Sequence, residues 1–166
     1  MIQIINSYSF IIVEFLILAG ITFISWRILG LKWTVPVITA TLIILTTSQF
    51  ILSTKTNTIS NPEDFDNVLK LKQPVLVELY SNFCVACLSS KPKVDHLELD
   101  LEGEFLVVRL DLNSDVGKYV RQKYDGGLVP TFIVFNRGGD LVWKINGKVP
   151  TAKKILSLDL QDPSQP

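Results

Sequence analysis

Cys84 and Cys87 are the residues whose type and spacing point most directly to chemistry. They are the only two cysteines among 166 residues, and they stand three positions apart. The preceding segment, Val75–Tyr80, is rich in apolar and β-branched residues and is typical of a buried strand. Because Ser81-Asn82 breaks that segment, we expect Cys84 to open a helix. Unpaired N–H groups and the positive end of the helix dipole would favour thiolate over thiol there.

A lone C-x-x-C pair is compatible with three kinds of chemistry. In dithiol–disulfide exchange, a thiolate attacks a disulfide and the second thiol resolves the mixed disulfide. A second interpretation is a pair of structural cysteines or a structural disulfide. A zinc site needs about four ligands, and the chain has one histidine, His96, and no second C-x-x-C. The position between a predicted strand and a predicted helix favours exchange chemistry, without a metal or a cofactor.

Charge is distributed unevenly along the chain. The 16 basic and 16 acidic residues balance, which gives no electrostatic basis for a nucleic-acid partner. Up to Leu52 the charged residues are only Glu14, Arg27 and Lys32. From Lys55 onward charged and apolar residues alternate freely. The composition predicts a membrane segment at 1–53, a linker at 54–61 and a soluble domain.

Two stretches of the N-terminal segment, about 10–29 and 33–52, are each long and apolar enough to cross a bilayer. A cleaved signal peptide fits poorly, because there is no basic n-region, the apolar run is too long and no small-x-small site follows. A buried hairpin in a soluble protein would need a cover that the remaining chain does not supply. Two interpretations of Glu14 are open. It is a functional residue or a helix–helix contact within the membrane, or it is a carboxylate that lies near the outer membrane interface.

The cations predict how this segment is oriented. Arg27 and Lys32 lie between the two stretches, and loops that carry cations stay cytoplasmic. Both termini and the soluble domain would then be extracytoplasmic, in a periplasm, an organelle lumen or the cell exterior. The cysteine pair agrees, because exposed disulfide chemistry belongs mainly to those compartments.

The soluble domain, predicted over 62–161, alternates helices and strands. Asn61-Pro62 begins the first helix, and Gln73-Pro74 ends it. The later segments are predicted as a helix from Cys84 to about Glu102, strands at 105–111, 132–135 and 141–145, and helices at 115–124 and 152–160. Residues 162–166 are expected to form a disordered tail. This α-β-α-β-α-β-β-α order implies a mixed sheet with helices on both faces.

At this point the soluble domain resembles thioredoxin in several motifs that occur in the same order. The C-x-x-C follows the central strand, and Pro92 falls at the kink position of the next helix. Val129-Pro130-Thr131 matches the segment that carries the cis-proline loop. Glu78 occupies the buried-acid position, and Arg109 a position where thioredoxins often carry Lys. The resemblance implies a thioredoxin-like α/β fold for this domain. The apolar stretches before it predict a two-helix transmembrane hairpin.

The resemblance also implies roles for the matched residues. Cys84, expected to be the more exposed, would be the attacking thiolate, and Cys87 the resolving thiol that forms the redox disulfide with it. Glu78 would accept the proton of Cys87, because burial raises the pKa of a carboxyl group. Arg109 would either partly neutralise Glu78 or lie on the surface.

Three further residues are expected to contact the substrate. Pro130, if cis, would present backbone groups of Val129 to a substrate strand, and Phe83 would lie beside the cysteines. An ordinary trans-proline at the start of a strand is the alternative.

The sequence departs from cytosolic thioredoxins, which carry Trp-Cys-Gly-Pro-Cys-Lys where this chain has Phe83-Cys-Val-Ala-Cys-Leu88. Cys-Val-Ala-Cys is similar to the C-terminal domain of bacterial transmembrane thiol:disulfide interchange reductases. Glu-x-Tyr-x-x-x-Cys resembles membrane-anchored proteins of thylakoids and of cytochrome c maturation. The resemblance implies an extracytoplasmic reductase of disulfides in partner proteins, such as cytochrome c apoproteins. The transmembrane cysteines of the interchange reductases are absent, so a separate membrane or soluble electron donor would be needed.

Two other functions stay open. A disulfide oxidase or isomerase has the same fold, because the x-x residues shift the reduction potential. A structural or assembly subunit would dock its hairpin into a larger membrane complex and leave its cysteines idle. Polar residues of the second stretch are candidates for the helix–helix contacts of such a subunit: Thr39, Thr41, Thr46, Thr47 and Ser48.

Overall fold

The computed structural model describes residues 8–52 and 59–159 of this chain. Most of the predicted linker and the predicted disordered tail lie outside these residues, as do the side chains of Lys32 and Ser48. The described residues form six helices and four strands. In chain order they are α1 (Ser9–Leu29), α2 (Leu31–Leu52), α3 (Pro62–Leu69), β1 (Val75–Tyr80), α4 (Val85–Asp100), β2 (Leu106–Asp111), α5 (Asp115–Tyr124), β3 (Thr131–Phe135), β4 (Leu141–Asn146) and α6 (Ala152–Asp159).

Two long apolar helices, α1 and α2, precede the mixed domain. They pack against each other and meet at Gly30, whose φ of 74° lies in the region that glycine adopts readily. Within the described residues, Ser9–Ile28 of α1 is long and apolar enough to cross a membrane, a property that spans and signal sequences share. The apolar part of α2, Thr34–Thr47, is shorter. The sequence predicted two spans, whereas the described residues provide one candidate, because the side chains flanking the apolar part of α2 are not described.

Four threonine hydroxyls in the described part of α2 bond within their own helix. Thr39, Thr41, Thr46 and Thr47 each donate to a backbone carbonyl three or four residues earlier. A hydroxyl whose proton is used in this way has no proton left to donate to another helix. These four threonines therefore do not donate to another helix in this structure, and the helix–helix role of the five predicted residues stays a prediction.

One mixed sheet organises the rest of the chain, with the strand order β2-β1-β3-β4. β1 runs parallel to β2 and antiparallel to β3, and β4 is antiparallel to β3. Every residue of β1 is buried, as expected for a central strand that is covered on both faces. The predicted α/β fold with a mixed sheet is thus confirmed.

Helices cover both faces of the sheet. On one face, α3 and α5 pack their apolar side chains on alternate residues of β1, a cluster that includes Phe65, Val116, Val120, Val75, Val77 and Leu79. On the other face, α4 and α6 pack on the intervening positions, in a cluster that includes Val94, Leu97, Ile155, Leu76, Phe132 and Val134. Because side chains alternate along a strand, Glu78 shares the second face with Leu76 and lies beneath α4.

Candidate active site

The two cysteines lie where β1 gives way to α4. Cys84 has extended backbone angles (φ −103°, ψ 116°) and is the N-cap of α4, while Cys87 lies in the first turn. Both are free thiols. A side chain at the N-cap faces the unpaired N–H groups of the first turn. The N–H groups of Ala86 and Cys87 lie near the Cys84 sulfur and favour its ionised form, which lowers the pKa of Cys84.

The two thiols have pKa values shifted in opposite directions. The Cys87 thiol donates to the Cys84 sulfur, and this bond, joined by the helix N–H groups, lowers the pKa of Cys84 against the opposing effect of burial. The same bond, together with burial and the charge of Glu78, raises the pKa of Cys87. Dithiol exchange needs this asymmetry, because the low-pKa thiol is ionised for attack while the other keeps its proton until resolution.

The prediction that Cys84 is the more exposed cysteine is wrong. Cys84 is 0% exposed and Cys87 is 5% exposed. The reason is that the start of α1 covers the rim of the site, where the Tyr8 ring stacks on the Phe83 ring. No local pattern around the cysteines indicates this contact, because Tyr8 lies in a distant part of the sequence.

Glu78 lies beneath the cysteine pair on the α4 face of β1 and is 4% exposed. Burial raises the pKa of Glu78 to about 7, while the charge of Arg109 acts in the opposite direction. A cavity of about 10 Å³ is lined by Glu78 and Cys87 together with Ser81 and Lys91. That volume is about the minimum that one water molecule occupies. The cavity is therefore suited to carry a proton from the Cys87 thiol to the Glu78 carboxylate.

Arg109 is a buried partner of Glu78 and not a surface residue. The two residues pair directly in the β1–β2 register, with Arg109 Nε 3.2 Å from Glu78 Oε2. Arg109 Nη1 donates to Asp95 Oδ1 at 2.7 Å, and Nε lies 3.5 Å from Glu98 Oε2. Of the two predictions for Arg109, the neutralising one is confirmed.

Asp95 and Glu98 are site residues that the sequence analysis missed, since it placed no function on them. Both are about half exposed, and both reach the guanidinium of Arg109 from α4. Their i, i+3 spacing, which puts two side chains on one helix face, was the available signal. It could not be used without knowing that β2 lies beneath that face.

The Val129–Pro130 loop leads into β3, the neighbour of β1 in the sheet, and contacts Cys84. The peptide bond is cis, and both residues are buried. The Cys84 thiol donates to the Val129 carbonyl at a sulfur–oxygen distance of 3.7 Å. The structure thus brings the six predicted site residues into one region: Cys84, Cys87, Glu78, Val129, Pro130 and Phe83.

Comparison with known proteins matches the domain that carries this site. A family model for thioredoxin matches residues 56–158. The thioredoxin of Synechocystis sp. is 32% identical over 101 residues, which span 61% of this chain and 92% of that protein. Thioredoxin 1 of Nostoc sp. is 34% identical over 94 residues, which span 57% of this chain and 83% of that protein. The chloroplastic thioredoxin M4 of Arabidopsis thaliana is 35% identical over 92 residues, which span 55% of this chain and 46% of that protein.

A solved structure agrees with the fold. It is described as the structural basis of the thiol resolving mechanism in yeast mitochondrial 1-Cys peroxiredoxin via glutathione/thioredoxin systems. One of its chains superposes with a TM-score of 0.52 and 24% identity, over 60% of this chain and 92% of that chain. Both α1 and α2 precede the residues that the family model matches.

Proposed function

This chain belongs to the thioredoxin family and is a protein disulfide oxidoreductase, and on that basis we propose that it is a membrane-anchored reductase of disulfides in extracytoplasmic partner proteins. One observation carries the proposal. A low-pKa Cys84 at a helix N-terminus contacts a high-pKa Cys87, which shares a small cavity with the buried Glu78.

The reaction proceeds in two exchange steps. The Cys84 thiolate attacks one sulfur of the substrate disulfide, and the substrate S–S bond breaks as the mixed disulfide forms. The other substrate sulfur leaves as a thiolate and takes up a proton. Cys87 then gives its proton to Glu78, and its sulfur attacks Cys84. The S–S bond between Cys84 and the substrate breaks, the second substrate sulfur leaves as a thiolate and takes up a proton, and the new Cys84–Cys87 disulfide holds the oxidised state.

The substrate would bind across the rim formed by Phe83 and the Val129–Pro130 loop. The Val129 carbonyl accepts from the Cys84 thiol, so a peptide beside that loop would present its disulfide to the attacking sulfur. Cytochrome c apoproteins are one candidate substrate, from the motif resemblance alone. Two electrons pass to the substrate in each cycle, so a separate thiol reductant must return the enzyme to its dithiol form.

Membrane anchoring is supported by the position of α1. The first residues of this apolar helix contact the redox domain at Phe83 and Val85, so that end of α1 and the domain lie on the same side. An even number of crossings must then separate Ser9 from Pro62, and a hairpin of α1 and α2 meets that requirement. Arg27 near the junction favours a cytoplasmic turn, with both termini and the domain extracytoplasmic.

Activity is tested with the full chain in lipid nanodiscs and an insulin disulfide as substrate. We expect turnover with dithiothreitol, loss of turnover in Cys84→Ser, and accumulation of a mixed disulfide in Cys87→Ser. Equal trapping in both variants would contradict the assigned roles. The topology is tested by labelling introduced cysteines in sealed vesicles. One cysteine is placed at the Gly30 turn and another near Lys55, and the proposal requires these two positions to lie on opposite sides of the membrane.

The reduction potential of the cysteine pair decides the direction of transfer. A value near roughly −270 mV would support a reductase, whereas one near roughly −120 mV would identify an oxidant. Two results together would instead favour a structural subunit. The full chain would copurify with a membrane complex at fixed stoichiometry, and Cys84→Ser would leave the function of that complex unchanged.

A further inference from the structure

The start of α1 holds Phe83, the residue before Cys84, in two ways. The Phe10 N–H donates to the Phe83 carbonyl oxygen at 2.8 Å. The Tyr8 and Phe83 rings stack with centroids 5.9 Å apart and planes inclined by 17°. The Phe10 N–H belongs to the first turn of α1, whose N–H groups have no partner within their own helix. The domain therefore supplies a backbone acceptor that the helix itself lacks.

The same segment is bonded to the domain on the other side of Cys84. The N–H of Val85, the residue after Cys84, donates to Ser9 Oγ at 3.1 Å. The Tyr8 hydroxyl donates to Asn113 Oδ1 at 3.3 Å, just beyond the end of β2. Both chain neighbours of Cys84 are thus held by α1, and Cys84 itself has no exposed surface.

This arrangement is closed to a protein substrate. A mixed disulfide forms only when the attacking sulfur contacts a sulfur of the substrate, and a fully buried Cys84 offers no surface for that contact. The rim proposed to bind the substrate includes Phe83, and both the ring and the carbonyl oxygen of Phe83 are engaged by α1. The start of α1 and a substrate therefore compete for the same groups.

We propose that residues 8–10, the N-cap and the first two residues of α1, form an autoinhibitory strap that must leave the dithiol site before a protein disulfide can bind. This inference rests on the proposed function, disulfide exchange at Cys84. Only the molecules with an open strap bind the substrate, so the apparent affinity falls by the open fraction. Once the substrate is bound the strap has already left, and its contacts do not affect the later chemical steps.

The strap can open without disturbing the rest of the domain. Among the described residues, neither of the two apolar clusters that cover the sheet includes a residue of α1. The strap is held by hydrogen bonds and one ring stack, and the loss of one such contact changes an equilibrium about fivefold. Opening therefore breaks a few separate contacts and leaves the core packed.

The competing interpretation is that these contacts only fix the domain to the end of α1, while substrates reach Cys84 by another route. The two roles differ in their kinetic effect. A strap reduces the fraction of molecules that can bind, so loosening it lowers KM and leaves kcat unchanged. Loosening a fixed anchor gives no such gain in KM.

The test measures insulin reduction by the full chain in nanodiscs, with dithiothreitol as the reductant. Phe10→Pro removes the N–H that bonds to Phe83, and proline is tolerated in the first turn of a helix. We expect KM to fall about fivefold with kcat unchanged. Phe10→Ala keeps the N–H, so the difference between the two variants isolates the hydrogen bond. Equal KM values in these two variants would overturn the inference.

Tyr8→Ala tests the strap through a different contact. This variant loses the ring stack on Phe83, so KM should again fall about fivefold at an unchanged kcat. The matched control is Phe15→Ala, which removes a ring from an exposed position of α1. We expect wild-type kinetics in Phe15→Ala. A KM that falls equally in Tyr8→Ala and Phe15→Ala would contradict the strap, because the effect would then not depend on contact with Phe83.

Labelling of Cys84 separates the failure of this inference from that of the proposed function, because it needs no turnover. A large polyethylene-glycol maleimide is used on reduced chains that also carry Cys87→Ser. If wild type reduces insulin and the variants keep its KM, only the strap fails. If no chain reduces insulin but Phe10→Pro is labelled faster than Phe10→Ala, the proposed function fails and the cover over Cys84 stands. Equal labelling rates without turnover would overturn both.

Discussion

Glu78 and Arg109 face each other across adjacent parallel strands, with the carboxylate 3.2 Å from the guanidinium Nε and both side chains buried. Burial favours the neutral acid, while the charge of Arg109 favours the carboxylate. Desolvation is the larger effect, so the pKa of Glu78 rises to about 7. A carboxyl group with that pKa can both accept and release a proton at neutral pH, which a dithiol site requires of its general base.

Replacing Glu78 with Gln should slow the release of the mixed disulfide. We expect a loss of about 100-fold at neutral pH, the lower end of what a general base contributes. In wild type this step should accelerate as pH rises through about 7, because Glu78 acts as a base only when ionised. Single-turnover decay of the mixed disulfide measures it. The matched control is Glu102→Gln, at an exposed position just beyond α4, and an equal effect there would contradict the role.

Glu78 should also make stability depend on pH. The folded chain holds this proton up to about pH 7, whereas the unfolded chain loses it above about pH 4.5. The folded state binds more protons in that window, so stability falls as pH rises through it, by up to about 3 kcal/mol. Urea unfolding of the full chain in detergent, with proteolysis as the readout of the unfolded fraction, measures how the free energy of unfolding depends on pH. Glu78→Gln should flatten this pH dependence. The same slope in Glu78→Gln and wild type would show that folding does not raise the pKa of Glu78.

Arg109 should determine the pH midpoint of mixed-disulfide resolution, because that midpoint reports the pKa of Glu78. Arg109→Met removes the charge that lowers the pKa of Glu78, so the pH–rate midpoint for mixed-disulfide resolution should rise. Arg109→Lys keeps the charge and serves as the matched control. Asp95→Asn should move the midpoint in the opposite direction, because the charge of Asp95 raises the pKa of Glu78. Shifts of the same sign in Arg109→Met and Asp95→Asn would contradict this electrostatic account.

Tyr8 should limit the access of large reagents to Cys84. Its stacking on Phe83 is worth about 1 kcal/mol, so Tyr8→Ala should accelerate labelling by a large polyethylene-glycol maleimide about fivefold. Iodoacetamide, which is small, should be affected less. Tyr8→Phe keeps the ring and loses the hydroxyl that donates to Asn113 Oδ1 at 3.3 Å. Wild-type rates in Tyr8→Ala would show that the ring does not restrict access.

Features that depend on a few neighbouring residues were predictable. The strand β1 was expected at its observed bounds from its apolar composition. The helix α5 was expected at its observed bounds, 115–124, and at its start Ser114 Oγ accepts from the Gly117 N–H at 3.0 Å. The N-cap position of Cys84 follows in the same way from a strand that stops one short turn earlier. Each of these signals is carried by residues that stay close whatever the rest of the chain does.

Contacts between distant segments were not predictable to the same degree. The Arg109 side chain meets Asp95 from α4 and Glu78 from β1, and both contacts require the strand register and the position of the helix above it. The exposure of Cys84 was predicted wrongly for the same reason. A thiol at the start of a helix is ordinarily accessible, but here the first turn of α1 covers it.

The sequence by itself determined the family-like order of helices and strands, the cysteine pair at the start of a helix and the acid on the strand before it. These follow from local periodicity and spacing, because burial, capping and turn preferences act over a few residues. Tertiary structure alone decided that Arg109 is buried against Glu78 and that the first turn of α1 bonds to Phe83 and Val85, the two chain neighbours of Cys84. Those arrangements depend on which segments meet in space. Ser9 and Val85, whose N–H donates to the Ser9 hydroxyl oxygen, are 76 positions apart in the chain.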